Sequence, residues 1–407
     1  MDSLDRGWYL RRACVYGILT LQLFAVLAFG AVEYWSRGTL QLGACLFLAL
    51  WVASFLLGGA LRLRRNPLYF PMLGFGLLVT LQYLAGGTAY LPVTRQGLLL
   101  LAAYFWIFLV LVNTVETHEQ KMMLVTVLIV FGSALAIFAM AQDFFGNGRL
   151  YWWRETVHAK GMYGPYIDHA HYAGLMNMLA LMPLGLVLGR TVRGDKVFIM
   201  LFLTLLMFVS LIFSGARGGM ISFVGQLVLL GLIFLSRRQG RQLLAVLVVA
   251  VLLTVLASAV GMVILEKRFE TGGLALARQG RVTVWMDTIT GIRDHFWMGT
   301  GFGTFEVVYP QYRTRPSDLL WNAAHNDYLQ LFLETGIFGF LLMAWFLVRL
   351  AVFAAPRLLQ DQGPDFGVAL GATLGIFGML IHSLSDFNMQ IPANAMMFYV
   401  LCALLTL

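Results

Sequence analysis

Residues 197–213 read VFIMLFLTLLMFVSLIF, and after the break SGARGG at 214–219 a second apolar run, MISFVGQLVLLGLIFL, covers 220–235. No charged side chain interrupts either run. A helix rises about 1.5 Å per residue, so stretches near this length match a hydrocarbon layer roughly 30 Å thick. The pair therefore predicts two membrane-crossing helices joined by a short polar turn. Composition extends the reading to the whole chain. Of its 407 residues 60% are hydrophobic and only 12% charged, and the mean hydropathy is +0.79, far from a soluble domain.

Working outward, about twelve such runs are found, at 14–32, 40–61, 68–85, 97–112, 122–141, 171–188, 197–213, 220–235, 243–265, 328–350, 366–384 and 391–407. The expectation is an all-α polytopic integral membrane protein, a single transmembrane domain over 1–407 with one helical insert, residues 266–325, between spans nine and ten. The first run is longer than a secretory signal core and lacks a small-residue cleavage site, so it reads as a retained span. Cys14, Cys45 and Cys402 all lie in apolar runs, and no disulfide framework is expected.

The net charge is +8, but its distribution does not fit a nucleic-acid partner. Basic residues gather in the short breaks between spans, at Arg62, Arg64 and Arg65, at Arg190, Arg193 and Lys196, and at Arg237, Arg238 and Arg241. Those breaks all fall on one side, and the short connections opposite that precede the fifth span hold only Arg37 and Arg95. The positive-inside rule then places both termini in the cytoplasm and the long connections, 142–168 and 266–325, outside.

Ionisable residues at span ends suggest function by default, and here they gather on the outer side. They are His169 and His171 at the start of span six, Arg217 in SGARGG, Arg281 in the insert, His325, and His382 with Asp386 late in span eleven. A carrier with alternating access would place such groups near mid-membrane, so a transporter is the rival class and the one-sided placement argues against it. Arg217 offers a planar fork suited to phosphate. The insert opens EKRFE, with Lys267 and Arg268, and continues with Arg278 and Arg281. Trp285, Ile289, Ile292 and Phe296 recur at helical spacing, with Arg281 sharing a face with Trp285, which predicts a surface helix over 281–296. Residues 299–305, GTGFGTF, lack the spacing of a phosphate loop and read as a tight turn. His169 and His171 have no third metal ligand at a known spacing, and His382 and Asp386, four apart, suit a carboxylate orienting an imidazole. The stretch 325–339, HNDYLQLFLETGIFG, puts an imidazole, an amide and a carboxylate just before an apolar run. There Asp327 and Gln330 predict a capped helix start whose positive end favours a neutral, proton-accepting His325.

Taken in order, these pieces resemble the O-antigen ligase and polymerase superfamily. The family's signature of His, then Asn, Ser or Gln, nine residues and Gly-x-x-Gly is similar to His325, Asn326, Gly336 and Gly339. Arg281 before Trp285, the Gly-rich segment ending at Phe305, Arg217 in its RGG setting and the HSLSDF stretch at 382–387 fit the same pattern. Trp297 and Met298 stand where the family's Pro is expected. The resemblance implies a GT-C-like fold in the bacterial inner membrane and a metal-independent, cofactor-free inverting glycosyltransferase with its site facing the periplasm. The implied donor is an undecaprenyl-diphosphate-linked glycan. The implied acceptor is lipid A core for a ligase, another lipid-linked glycan for a polymerase, or a protein hydroxyl in a related branch. His325, Arg217 and Arg281 would be catalytic, with Arg278, Asn326, His169, His171, Lys267, Arg268, His382 and Asp386 binding substrate.

Overall fold

The computed structural model describes residues 3–58, 63–155, 161–248, 251, 274–315, 321–360 and 363–407. Among them the chain is helical, with two isolated bridges, Leu150 with Arg154 and Tyr163 with Tyr166, and no strand. The elements are α1 (Ser3–Leu27), α2 (Tyr34–Gly58), α3 (Tyr69–Leu84), α4 (Leu91–Thr114), α5 (His118–Phe145), α6 (His169–Leu179), α7 (Met182–Leu188), α8 (Lys196–Ser214) and α9 (Arg217–Ser236). A further helix starts at 240, and then come α10 (Leu274–Asp294), α11 (Phe305–Val308), α12 (Asp327–Leu359), α13 (Phe366–His382) and α14 (Pro392–Thr406). Among the described residues eight helical stretches are long and apolar enough to cross a membrane, and α3, α13 and α14 are shorter apolar helices. The expected span 243–265 lies mostly outside the described residues.

Span limits shift where polar residues prolong a helix. α1 reaches back past Arg12, which lies along the helix surface: it donates to Tyr16 Oη at 2.9 Å and sits over the Trp8 ring at 4.6 Å, so its charge stays in water while its stem stays on the helix. α5 starts earlier than the apolar run because Thr117 and Gln120 form a reciprocal capping box. The sixth run is two helices. Pro183 has no N–H for the Leu179 carbonyl and its ring would clash there, so α6 stops and α7 restarts after it.

α13 and α14 form the centre of the bundle and are almost wholly buried. Glycines let α13 approach so closely. A Cβ on Gly371 would lie 2.9 Å from Met182 Cα, and one on Gly375 would lie 2.4 Å from the Met178 carbonyl oxygen. This is the small-residue packing that substitutes inside a membrane for the missing hydrophobic drive. The insert builds its own small core, in which Val284 and Ile292 of α10 pack with Phe305, Tyr309, Ala324 and Leu333. The inner face of α10 is thus rotated from the expected 285/289/292/296 stripe. It includes the buried carboxylate of Asp287, which accepts from Tyr309 Oη at 3.1 Å and Thr314 Oγ1 at 2.8 Å, and Phe296 lies beyond the helix, 40% exposed.

Candidate active site

One end of the bundle is organised by the turn 382–388, which leaves α13 and leads to α14. One stretch of backbone is fastened to it by two hydrogen bonds: Asp327 N–H donates to the Ser383 carbonyl at 2.9 Å, and Asn326 Nδ2 to the Leu384 carbonyl at 3.0 Å. Asn326 also caps α12, its Oδ1 accepting from the backbone N–H of Tyr328 and of Leu329 at 3.1 Å each. The expected cap, Asp327 with Gln330, is therefore displaced by one residue. Asp327 sits in the first turn and turns inward, accepting from Ser383 Oγ at 2.8 Å and Met389 N–H at 3.1 Å. Gln330 reaches back to accept from Ala324 N–H. These anchors hold His325 at φ +50°, in the left-handed region that histidine enters rarely.

So placed, His325 directs Nδ1 at Asp386 Oδ1, 3.3 Å away. A carboxylate can only accept, so Nδ1 carries the proton and Nε2 keeps a free lone pair. Asp386 is fixed from behind by a run of amides. Asn388 Nδ2 donates to its Oδ2 at 3.0 Å, Asn394 Nδ2 to Asn388 Oδ1 at 2.9 Å, and Tyr166 Oη to Asn394 Oδ1 at 2.7 Å. Burial alone would raise the Asp386 carboxyl, but the hydrogen bond from His325 and the fields of His171, His382 and His325 outweigh it and hold it below the usual carboxylate range. His171 and His382 each bring Nε2 to 4.0 Å from Asp386 Oδ2, and the Phe387 ring lies edge-on between His171 and His325. The expected pairing of Asp386 with His382 is thus looser than its bond to His325, because α13 ends at His382 and the two residues do not share a helix face. His382 is 1% exposed and lies beside Asn177.

Arg281 reaches the same turn from α10, donating from Nη1 to the Ser385 carbonyl at 3.0 Å. One turn on, Trp285 Nε1 donates to the Ala324 carbonyl at 2.9 Å, so the shared face expected of these residues spans the site from Ser385 to the residue before His325. SGARGG supplies the third side. Gly215, at φ +69°, ends α8. A Cβ on Gly218 would come within 2.6 Å of Ser385 Oγ and 2.9 Å of His382 Cδ2, so this glycine lets α9 start against the turn. Arg217, one residue earlier, is exposed and makes no side-chain hydrogen bond or ion pair among the described residues. His169 is set apart, with Nδ1 near the Gly161 carbonyl and Asp168. Lys267 and Arg268 lie outside the described residues, as does the side chain of Arg278. Among the described residues no group of three His, Cys, Asp or Glu side chains is placed to hold a metal ion.

Residues 202–344 match the family model described as O-antigen ligase. The matched stretch is similar to the O-antigen ligase/polymerase superfamily. No curated protein matches it. The O-antigen ligase segment contains Arg217, Arg281, His325, Gly336 and Gly339 but ends before the turn that carries Asp386. The ligase signature has a local mechanical reason. Gly336 interrupts α12 at φ 63° and ψ −165°, and the opened backbone pairs with the insert: Thr300 N–H donates to Leu333 O, Gly301 N–H to Glu334 O and Ile337 N–H to Phe296 O, all at 2.8–2.9 Å. A Cβ on Gly336 would lie 2.2 Å from the Trp297 carbonyl oxygen. Trp297 and Met298 thus run against the kink without the expected proline, held by Gln82 Nε2, which donates to Met298 O at 2.6 Å. The Gly-rich segment grips a carboxylate of its own chain. Glu334, fully buried, accepts from Gly303 N–H at 2.9 Å, Phe305 N–H at 3.2 Å and Gln330 Nε2 at 3.0 Å.

Sequence reasoning missed Glu334, Gln82, Asn388 and Asn394. The two asparagines carry a signal in the sequence, since they follow the HSLSDF stretch at the entry to the last span, but an amide lacks the cost in a membrane that marks an ionisable group.

Proposed function

We propose that this chain transfers a glycan from an undecaprenyl-diphosphate carrier to an acceptor hydroxyl at the outer face of the bacterial inner membrane, most simply the lipid A core acceptor of an O-antigen ligase. The observation that carries the reading is the meeting of His325 and Arg281 on one turn, 385–386, with the start of α9 packed beside it. His325 Nε2 takes the proton of the acceptor hydroxyl as that oxygen attacks the anomeric carbon. The bond from that carbon to the diphosphate breaks on the opposite side, so the configuration inverts. Arg217 and Arg281 bind the departing diphosphate, whose charge grows in the transition state, where fixed donors act most strongly. Asp386 positions the imidazole and stabilises it once protonated, as the buried carboxylate does in other base-orienting pairs. The diphosphate leaves readily and two guanidinium groups counter its charge, so this mechanism assigns no step to a metal.

The test is transfer by purified protein supplied with a polyprenyl-diphosphate glycan and, separately, a lipid A core acceptor or a second lipid-linked glycan. Glycosylated lipid A core is the expected product. A lengthened lipid-linked glycan would instead make the chain a polymerase, and donor moved across a bilayer with no glycosidic bond formed would replace the enzyme by a flippase. Near-normal transfer by His325→Ala would overturn the base assignment.

A further inference from the structure

α9 and α13 both run from the Asp386 turn to the opposite end of the bundle, where their ends at Arg237 and Phe366 border a cavity of about 540 Å³. Its polar lining is unusual in sign. Arg190, Arg193, Arg237 and His118 face it with Gln239 and Gln242, and among the described residues no carboxylate lines it. The neighbouring acid, Asp365, is already engaged, by Lys121 Nζ and His118 Nδ1 at 2.5 Å each. Arg237 is held rigidly, donating to the Leu358 carbonyl at 2.7 Å while its guanidinium lies over the Phe366 ring at 4.2 Å. Arg190 and Arg193 make no ion pair or side-chain hydrogen bond among the described residues.

Orienting a membrane protein requires basic residues on a side, not a recess that gathers them. The backbone at Arg190 points the same way. It follows α7 at φ +56°, where glycine is usual and other residues are disfavoured, so a guanidinium is kept on the rim against local preference. Guanidinium groups converging on a partly enclosed site with apolar walls focus positive potential and suit the oxygens of a phosphate. The size is within the range of small-ligand pockets, and basic pockets between membrane helices receive phosphate headgroups. We propose that this cavity binds an anionic phosphate, supplied by a phospholipid headgroup or by a soluble phosphate ester, at the end of the bundle remote from the transfer site.

The test uses full-length protein in detergent, with cardiolipin, phosphatidylglycerol or zwitterionic phosphatidylcholine counted by native mass spectrometry and inorganic phosphate added in a thermal-shift arm. The variant is Arg190→Gly with Arg193→Gln. Glycine accepts the left-handed backbone, so the fold is kept, which an unchanged or raised Tm without ligand checks. The variant should lose about tenfold or more in affinity for the anionic ligand, while phosphatidylcholine binding and the control Arg241→Gln, on the same end but outside the cavity, stay at wild-type level. Loss confined to the anionic lipids identifies a headgroup. A phosphate-induced Tm rise present in wild type and absent in the variant identifies a soluble ester. Equal binding of every ligand by variant and wild type overturns the site, as does an equal loss in Arg241→Gln, which would mean diffuse surface charge.

Discussion

At the scale of single residues, the candidate chemistry depends on how one imidazole is held. His325 occupies a strained backbone position because residues 326 and 327 are fastened to 383 and 384, and Asp386 then fixes its tautomer. Asp386→Asn keeps the shape but presents an amide where the imidazole needs a pure acceptor. Transfer by this variant should fall about 10²-fold or more in kcat with KM little changed, and steady-state kinetics on purified protein read the split; a loss in KM alone would make Asp386 a binding residue. Arg281→Lys keeps the charge but loses the planar fork. It should raise KM for the donor and lower kcat, and unchanged kinetics would remove the diphosphate from this position. The sequence brought His325, Arg217, Arg281 and Asp386 forward as ionisable groups at span ends, yet assigned Asp386 to His382, four residues away. That spacing holds only on a continuous helix, and α13 stops at His382. The amides behind Asp386 were less legible still, because Asn388, Asn394 and Tyr166 acquire their roles only when residues 228 positions apart meet.

At the scale of elements, the insert and α12 are a single mechanical unit. The sequence shows 299–305 as a glycine-rich turn and 325–339 as a helix start, and each reading holds separately. What it does not show is that Glu334, a lone acid in an apolar run, binds the turn's N–H groups, or that the kink at Gly336 exposes helix backbone for the insert to pair with. Such pairing joins segments about 35 residues apart through main-chain atoms, which leave no residue-type signature. Gly336→Ala forces a side chain into a backbone region open almost only to glycine and into the Trp297 carbonyl. It should destabilise by on the order of 3 kcal/mol, read as a lowered Tm. Glu334→Gln replaces an acceptor of three hydrogen bonds with a group that also donates. Amide hydrogen exchange over 299–305 should quicken while exchange in α13 and α14 is unchanged, and equal protection in both proteins would show that the carboxylate does not hold the turn.

Across the whole molecule, polar groups divide between two ends with the glycine-packed α13 between them, and hydropathy with basic-residue spacing makes most of this division legible in the sequence. At the end remote from His325, Asp365 joins the start of α13 to α5. Burial is the largest single influence and raises its carboxyl, but the hydrogen bonds and charges of Lys121 and His118 together outweigh it and hold it below the ordinary range. A depressed carboxylate stabilises the fold above its unfolded value of about 3.9, and that contribution disappears as pH falls through the folded value. Asp365→Asn should therefore lower Tm at pH 7 and at pH 5, and the gap to wild type should close only below about pH 4; a gap constant across this range would mean that the ion pair contributes nothing. The same division of charge also sets which compartment the proposed transfer site faces. Arg241 lies at the basic end, and Glu155 lies in the connection that leads into α6 beside the site, with 79% of its side chain exposed. In a background with Cys14, Cys45 and Cys402 replaced, Glu155→Cys should react with a membrane-impermeant maleimide on intact spheroplasts, and Arg241→Cys should react only after permeabilisation. The positive-inside rule requires this order. Its reversal would open the His325 site to the cytoplasm and overturn the proposed outer-face reaction.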